Sequence, residues 1–193
     1  MPSKKSPTTR NMRIIGGELK RRKLLEVTAH TTRSTKDKVK ESLFNMLSAS
    51  LPASRVLDAF AGSGALGIEA LSRGANYVEF IDSSPQALRV LKANVSSLQV
   101  HERAGVHPGV AQRIMPTFET AFDIIFLDPP YKEGLIDEAL KIITDHRLLS
   151  DTGIIAILSE KNASIKVPEA LAVYKHKTQG ITALRLLEWS CVQ

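Results

Sequence analysis

The chain has 193 residues, 43% hydrophobic and 24% charged. That balance is globular, and it excludes a disordered chain, a fibre or, with no apolar run of about 18 residues, a membrane span. Net charge is +6, but residues 1–40 carry +9 and the remainder −3, so a mildly acidic body bears a basic N-terminal arm suited to a polyanion.

At roughly 150 residues per domain the length fits one domain with a small appendage. Residues 1–11 read as a flexible basic tail. Residues 12–25 read as a hairpin, with Gly16-Gly17 as its turn. Ser34-Thr35-Lys36-Asp37 resembles a capping box, and Val39, Leu43, Phe44, Met46 and Leu47 follow at helical spacing. Residues 12–50 thus form a basic extension, and 51–193 the main domain.

From there strands and helices alternate. Val56-Leu57 opens a short strand, and a glycine loop leads to a helix over about 64–73. Tyr77 to Asp82 is a strand, and Pro85 to about Leu98 a helix with proline in its first turn. Residues 99–120 are ambiguous, with a short strand near Val106 and a weak helix after it. Phe122 to Leu127 is a continuous apolar run, as in a strand buried on both faces. Leu135 to Thr144 is helical, Gly153 to Leu158 a buried strand, and about 170–189 two longer strands around Gln179-Gly180. Such alternation means an α/β domain with a mostly parallel sheet.

Two loops carry the chemistry. Asp58-Ala59-Phe60-Ala61-Gly62-Ser63-Gly64-Ala65-Leu66-Gly67 contains GxGxxG between a strand and a helix, and Asp82 follows Gly62 by 20 residues. The spacing matches a dinucleotide fingerprint. Asp58 argues against one, because a carboxylate is awkward beside a pyrophosphate. It suits a ligand carrying an ammonium and a sulfonium, such as S-adenosylmethionine (SAM). Gly62 and Gly64 then allow close backbone approach, and Asp82 accepts from ribose hydroxyls.

The second loop, Asp128-Pro129-Pro130-Tyr131, ends the apolar strand. Ligands of open α/β sheets bind outside such strand ends. The prolines hold the backbone extended and lack N–H groups, so their carbonyls can face a substrate. Tyr131 offers a ring to a flat base. An exocyclic amine is a poor nucleophile because its lone pair is delocalised. A carboxylate and a carbonyl that bind its two hydrogens favour in-line attack on a methyl sulfonium. Orientation can provide about 7–11 kcal/mol in favourable cases. No metal is needed, and the five scattered histidines lack ligand spacing.

On these residues the chain resembles class I SAM-dependent methyltransferases, and more narrowly the bacterial RsmD family. The narrower likeness rests on Met12-Arg13-Ile14-Ile15-Gly16-Gly17, on Thr35 to Asn45, on Val56 to Gly74 and on the Asp-Pro-Pro-Tyr loop. It implies a Rossmann-like sheet of seven strands with the last antiparallel, and methylation of a guanine N2 amine in small-subunit (16S) ribosomal RNA. It implies catalytic roles for Asp128, Pro129 and Tyr131, and cofactor contacts from Asp58, Phe60, Gly62, Gly64 and Asp82. Arg13, Lys20, Arg21, Arg22, Arg33, Lys36 and Lys40 are expected on the RNA backbone.

The chain departs from the family pattern in three places. Arg33-Ser34-Thr35 replaces Arg-Pro-Thr, Arg21 stands at a family glycine, and Val110 stands where an acid often meets the SAM adenine. The competing readings are an amine methyltransferase acting on DNA adenine N6 or protein glutamine, a non-catalytic nucleic-acid-binding module and a nicotinamide oxidoreductase. A cytoplasmic monomer is expected. Cys191 reads as inert and Trp189 as packing.

Overall fold

A computed structural model describes residues 12–27, 37–130 and 134–190. Residues 1–11, the capping-box residues Ser34, Thr35 and Lys36, and also Arg33, Tyr131 and Cys191 lie outside the described residues.

The elements in chain order are β1 (Met12–Arg13), β2 (Lys23–Leu24), α1 (Asp37–Met46), β3 (Arg55–Asp58), α2 (Ala65–Ser72), β4 (Tyr77–Asp82) and α3 (Pro85–Ser97). Then follow β5 (Ala104–Pro108), α4 (Ala111–Ile114), β6 (Phe122–Leu127), α5 (Leu135–Asp145), β7 (Leu149–Glu160), β8 (Leu171–Gln179) and β9 (Thr182–Trp189). No helix is long and apolar enough to cross a membrane among the described residues.

The main sheet has seven strands in the order β5-β4-β3-β6-β7-β9-β8. Neighbours from β5 to β7 are parallel, and β9 runs antiparallel to both β7 and β8. This is the Rossmann-like arrangement of the class I methyltransferases, with the last strand reversed. The chain winds outward from β3 through β4 to β5, then returns to β6 on the other side of β3. Strand order therefore reverses between β3 and β6, which opens a crevice at their carboxyl ends.

Strand alternation explains the two cores. Val56, Val78, Phe80, Ile124, Phe126, Ala156 and Leu158 face one side, under α1, α2 and α3. Leu57, Ile81, Ile125, Leu127, Ile155 and Ile157 face the other, with Leu140 and Ile143 of α5. The first core also takes Met12, Ile14 and Leu24 of the hairpin and Val39, Leu43, Phe44 and Leu47 of α1.

Two sequence expectations change. Gly16-Gly17 is only the first part of the hairpin turn. Backbone bonds Ile14 N–H to Arg22 (3.0 Å) and Arg21 N–H to Ile14 (2.8 Å) prolong the pairing, and the loop between them turns through Lys20 N–H to Gly17 (3.2 Å) and Arg22 N–H to Leu19 (3.1 Å). Gly17, at φ 76°, lies against α2, where a Cβ would overlap the Ser72 carbonyl. And β7 begins at Leu149, not Gly153, because Leu149 already pairs with Phe122. The turn-like residues Ser150 to Gly153 hide that start in the sequence. Trp189 packs as expected, its indole N–H bonded to the Leu149 and Ser150 carbonyls at 3.2 and 3.1 Å.

Candidate active site

A cavity of about 770 Å³ opens at the strand-order reversal. Asp58, Asp82 and Asp128 reach it from the ends of β3, β4 and β6, with Phe60, Gly62, Ser63, Val110 and Pro129 among the other lining residues.

Asp58 is the last residue of β3 and is buried. Its Oδ2 accepts from the Gly67 N–H at 3.0 Å, which satisfies one of the free donors in the first turn of α2. Its Oδ1 has no partner within hydrogen-bond range among the described residues, although the Phe60 backbone N–H is close enough to favour the charged form. Burial pushes the Asp58 carboxyl up to about 7; the Gly67 N–H opposes this, and the charges of Asp128 and Asp82 add to it. A buried acceptor with no donor is costly unless a ligand supplies one.

The two glycines expected at the cofactor serve different ends. Gly62 has φ 56° and open space where a Cβ would project, and its N–H donates to Asp82 Oδ2 at 2.7 Å. Asp82 Oδ1 accepts from the Ser84 N–H at 2.8 Å, so this carboxylate first shapes the loop beside it. Each oxygen retains a second lone pair for a hydroxyl. Gly64 lies between the lining residues Ser63 and Ala65, and a Cβ there would meet Leu91 Cδ1 at 2.5 Å. Gly64 keeps α3 close to the loop, and its φ of 83° starts α2.

At the mouth, Asp128 is half-buried, Pro129 buried and Pro130 exposed. Tyr131 lies outside the described residues. Three carboxylates around one cavity repel a pyrophosphate and attract a cation, which disfavours the dinucleotide reading.

The N-terminal segment reaches the same cavity through Met12, Glu26 and Val27. Sequence reasoning missed this wall, and it missed the two polar residues that hold the segment in place. Asn94 Oδ1 accepts from the Leu25 N–H (2.8 Å), and its Nδ2 donates to the Leu25 carbonyl (3.1 Å) and to the Ser63 carbonyl of the glycine loop (2.9 Å). Glu69 accepts from the Ile15 and Gly16 N–H groups at 2.9 and 2.8 Å. It also pairs with Lys40 Nζ at 3.1 Å and Arg73 Nε at 2.8 Å. The signal was present: Glu69 interrupts the apolar run of α2, and Asn94 shares the buried face of α3 with Leu91.

Lys40 is therefore a correction. It was expected on RNA phosphates, but its side chain is fully buried, paired with Glu69 and donating to the Arg13 carbonyl at 3.0 Å. Arg13, Lys20, Arg21 and Arg22 are exposed on the hairpin. Arg22 also donates to the Ser97 carbonyl at 3.1 Å. Arg21 has φ 71°, the left-handed conformation that explains why a glycine suits this position. Arg33 and Lys36 lie outside the described residues.

The family model described as Conserved hypothetical protein 95 matches residues 12–188. YlbH of Bacillus subtilis, proposed as an rRNA methyltransferase, is 39% identical over 91% of this chain and 97% of its own. Ribosomal RNA small subunit methyltransferase D of Haemophilus influenzae is 36% identical over 92% of this chain and 93% of its own. Among solved structures, Escherichia coli yhhF, proposed as a methyltransferase, superposes with a TM-score of 0.84 at 34% identity, covering 93% of this chain and 98% of that one.

Proposed function

The chain belongs to the RsmD family of small-subunit ribosomal RNA methyltransferases, and we propose that it transfers a methyl group from SAM to the exocyclic N2 amine of a guanine in 16S rRNA. The observation that carries this reading is the trio Asp58, Asp82 and Asp128 around one cavity at the sheet's switch point.

The residues present fit SAM on two counts. Asp58 Oδ1 is a buried acceptor with no hydrogen-bond partner in range among the described residues, and Gly62 leaves open the space a side chain would take. Asp58 would take the ammonium, Asp82 the ribose hydroxyls, and Phe60 and Val110 would pack on the apolar parts. SAM supplies an electrophilic methyl on its sulfonium. Asp128 and the Pro129 carbonyl accept the two amine hydrogens, so the nitrogen lone pair is freed from the ring and aimed into the cavity. Tyr131 stacks on the base, which must leave its helix to reach the site. Asp128 can take up the proton the amine sheds. The exposed hairpin cations Arg13, Lys20, Arg21 and Arg22 hold phosphates, which position the RNA without specifying sequence.

The test is transfer of radiolabelled methyl from SAM to unmodified small subunits, naked 16S rRNA and duplex DNA, followed by nucleoside analysis. N2-methylguanosine in either RNA sample is expected. N6-methyladenine in DNA, or no label in RNA, would overturn the reading.

Two further results are expected. An ammonium is held by the ionised Asp58 carboxyl, whose pKa is about 7, so SAM affinity should rise with pH through 7 until the ligand's α-ammonium itself deprotonates, at about 8, with a proton released on binding below that. Titration calorimetry in buffers of different ionisation enthalpy measures both. The same group acts on stability with the opposite sign. Between 3.8 and about 7 the folded state binds more protons than the unfolded one, so this contribution falls as pH rises. Asp58→Asn should therefore raise the melting temperature of the cofactor-free protein at pH 8 while weakening SAM binding. A variant with unchanged SAM affinity would remove Asp58 from the site.

Val110 lines the cavity, 46% exposed, at the start of α4 and without a side-chain cap. Val110→Asp gives the adenine amine an acceptor and should tighten SAM binding several-fold. Because aspartate also caps helices, the melting temperature without cofactor is measured beside the affinity. A rise in stability with no gain in affinity would mean that the adenine lies elsewhere.

A further inference from the structure

We propose a second RNA-binding surface, a lysine-lined groove between α1 and the edge strand β8, distant in sequence from the basic hairpin. The proposal rests on the RNA reading above.

Its walls follow from the register. Lys175 and Lys177 of β8 stand opposite Leu186 and Leu184 of β9, so all four share one sheet face. α1 covers the two leucines, which are buried in the core with its Phe44. The helix stops short of β8, whose residues from Ala172 to Thr178 are exposed. The uncovered face and the flank of α1 form a groove of about 470 Å³, lined by Lys38, Glu41, Ser42 and Asn45 on the helix and by Lys175, Lys177 and Gln179 on the strand.

Three features point to an anionic, hydrogen-bonding occupant. Lys38, Lys175 and Lys177 make no ion pair among the described residues, and Glu41 is the one acid lining the groove with them. Ser42 and Gln179 line it, and their Oγ and Oε1 atoms are closed off from solvent with no hydrogen-bond partner among the described residues, so a side-chain rotation would bring them to an occupant. And the lysines of β8, two residues apart, recur at about 6.7 Å, close to the separation of neighbouring phosphates along a nucleic-acid strand. A hydroxyl such as Ser42 can donate to a phosphate oxygen, and Gln179 Oε1 can accept from a ribose 2′-hydroxyl.

The groove also lies at the useful end of the sheet. Gln179 pairs with Thr182, and Thr182 with Glu160, the last residue of β7. One end of the groove therefore lies beside the carboxyl ends of the parallel strands, where Asp128 follows β6. β8 is three strands from β6, about 14 Å at the usual strand spacing. An RNA held by the hairpin and by this groove would be gripped on both sides of α1, with the target base between them.

Lysines on an edge strand also blunt edge-to-edge aggregation, so the test must separate the two roles. Lys175→Glu/Lys177→Glu keeps the edge charged but reverses its sign. Binding to naked 16S rRNA, measured from 50 to 200 mM salt, should weaken at least tenfold, with the log–log salt slope reduced by roughly 0.7–0.9 per lost phosphate contact. Lys175→Arg/Lys177→Arg should restore both. SAM affinity, melting temperature and elution as a single species should not change. In methyl transfer the glutamate variant should raise KM for RNA and leave kcat near that of the parent protein.

An unchanged salt slope and KM would overturn the groove. Loss of affinity for assembled subunits alone, with naked RNA bound as before, would place an acidic protein there and also overturn it. The parent protein is assayed in parallel: if it fails to methylate RNA, the functional reading falls; if it succeeds while the variant matches it, only the groove falls.

Discussion

Asp128→Ala should lower methyl transfer by about 10²–10⁴-fold, the range seen when one positioned polar or proton-accepting group is removed. In the proposed reaction the base meets the cavity beside Asp128 and the buried Pro129. Without the carboxylate only the Pro129 carbonyl remains to bind the amine, one of its two hydrogens has no acceptor, and the lone pair stays largely in the ring. Asp128→Asn keeps one acceptor oxygen and should lose less. SAM binding should survive both changes. Asp128 is also one of the charges that raise Asp58. Removing it should shift the pH midpoint of SAM binding downward in the alanine variant. Single-turnover rates at saturating SAM and RNA, with calorimetry across pH, read the two effects separately. A rate within a few-fold of the parent protein would remove Asp128 from the chemistry. An unmoved midpoint would mean that the two carboxylates do not interact.

The same loop shows how far the sequence reaches. Phe122 to Leu127 reads as a doubly buried strand because every side chain is apolar except Asp123. That residue is excused by its bonds to the Arg55 N–H at 2.8 Å and the Ser150 hydroxyl at 3.0 Å. The position of Asp128 at a strand end follows, and so do those of Asp58 and Asp82. Long-range consequences are harder to read. Gly62 and Gly64 look equivalent in GxGxxG, but only the fold shows that one faces open space and the other faces Leu91. Lys40 looks like another cation of the arm, since helical spacing does not say how far α1 sinks beneath the hairpin. The +9 charge of residues 1–40 therefore overstates the charge available to RNA. The wall at Glu26 and Val27 could not be read at all, because it depends on where Asn94 fastens the chain.

Glu69→Ala should cost about 3–5 kcal/mol of folding free energy, the usual result of removing one partner from a buried ion pair. For a chain of this size that lowers the melting temperature by roughly 6–20 °C. The cost is high because Glu69 and Lys40 are both fully buried. The variant leaves Lys40 without its carboxylate and the Ile15 and Gly16 N–H groups without their acceptor. Lys40→Met should cost less, since Arg73 and both N–H groups still satisfy Glu69. Thermal unfolding of the two single variants and the double variant gives the coupling between them. A cost below 1 kcal/mol for Glu69→Ala would mean that the hairpin docks mainly through Met12, Ile14 and Leu24. The functional consequence separates the two halves of the site. Glu69 is on α2, but its side chain binds the hairpin, Lys40 and Arg73, and among the described residues it makes no hydrogen bond or ion pair to the glycine loop or Asp128. At a temperature where the variant is folded, SAM affinity should stay near that of the parent protein. RNA affinity should fall although no exposed cation has been removed, because Arg13, Lys20, Arg21 and Arg22 no longer share one fixed geometry. Equal losses for SAM and RNA would mean that Glu69 supports the whole domain and not the hairpin alone.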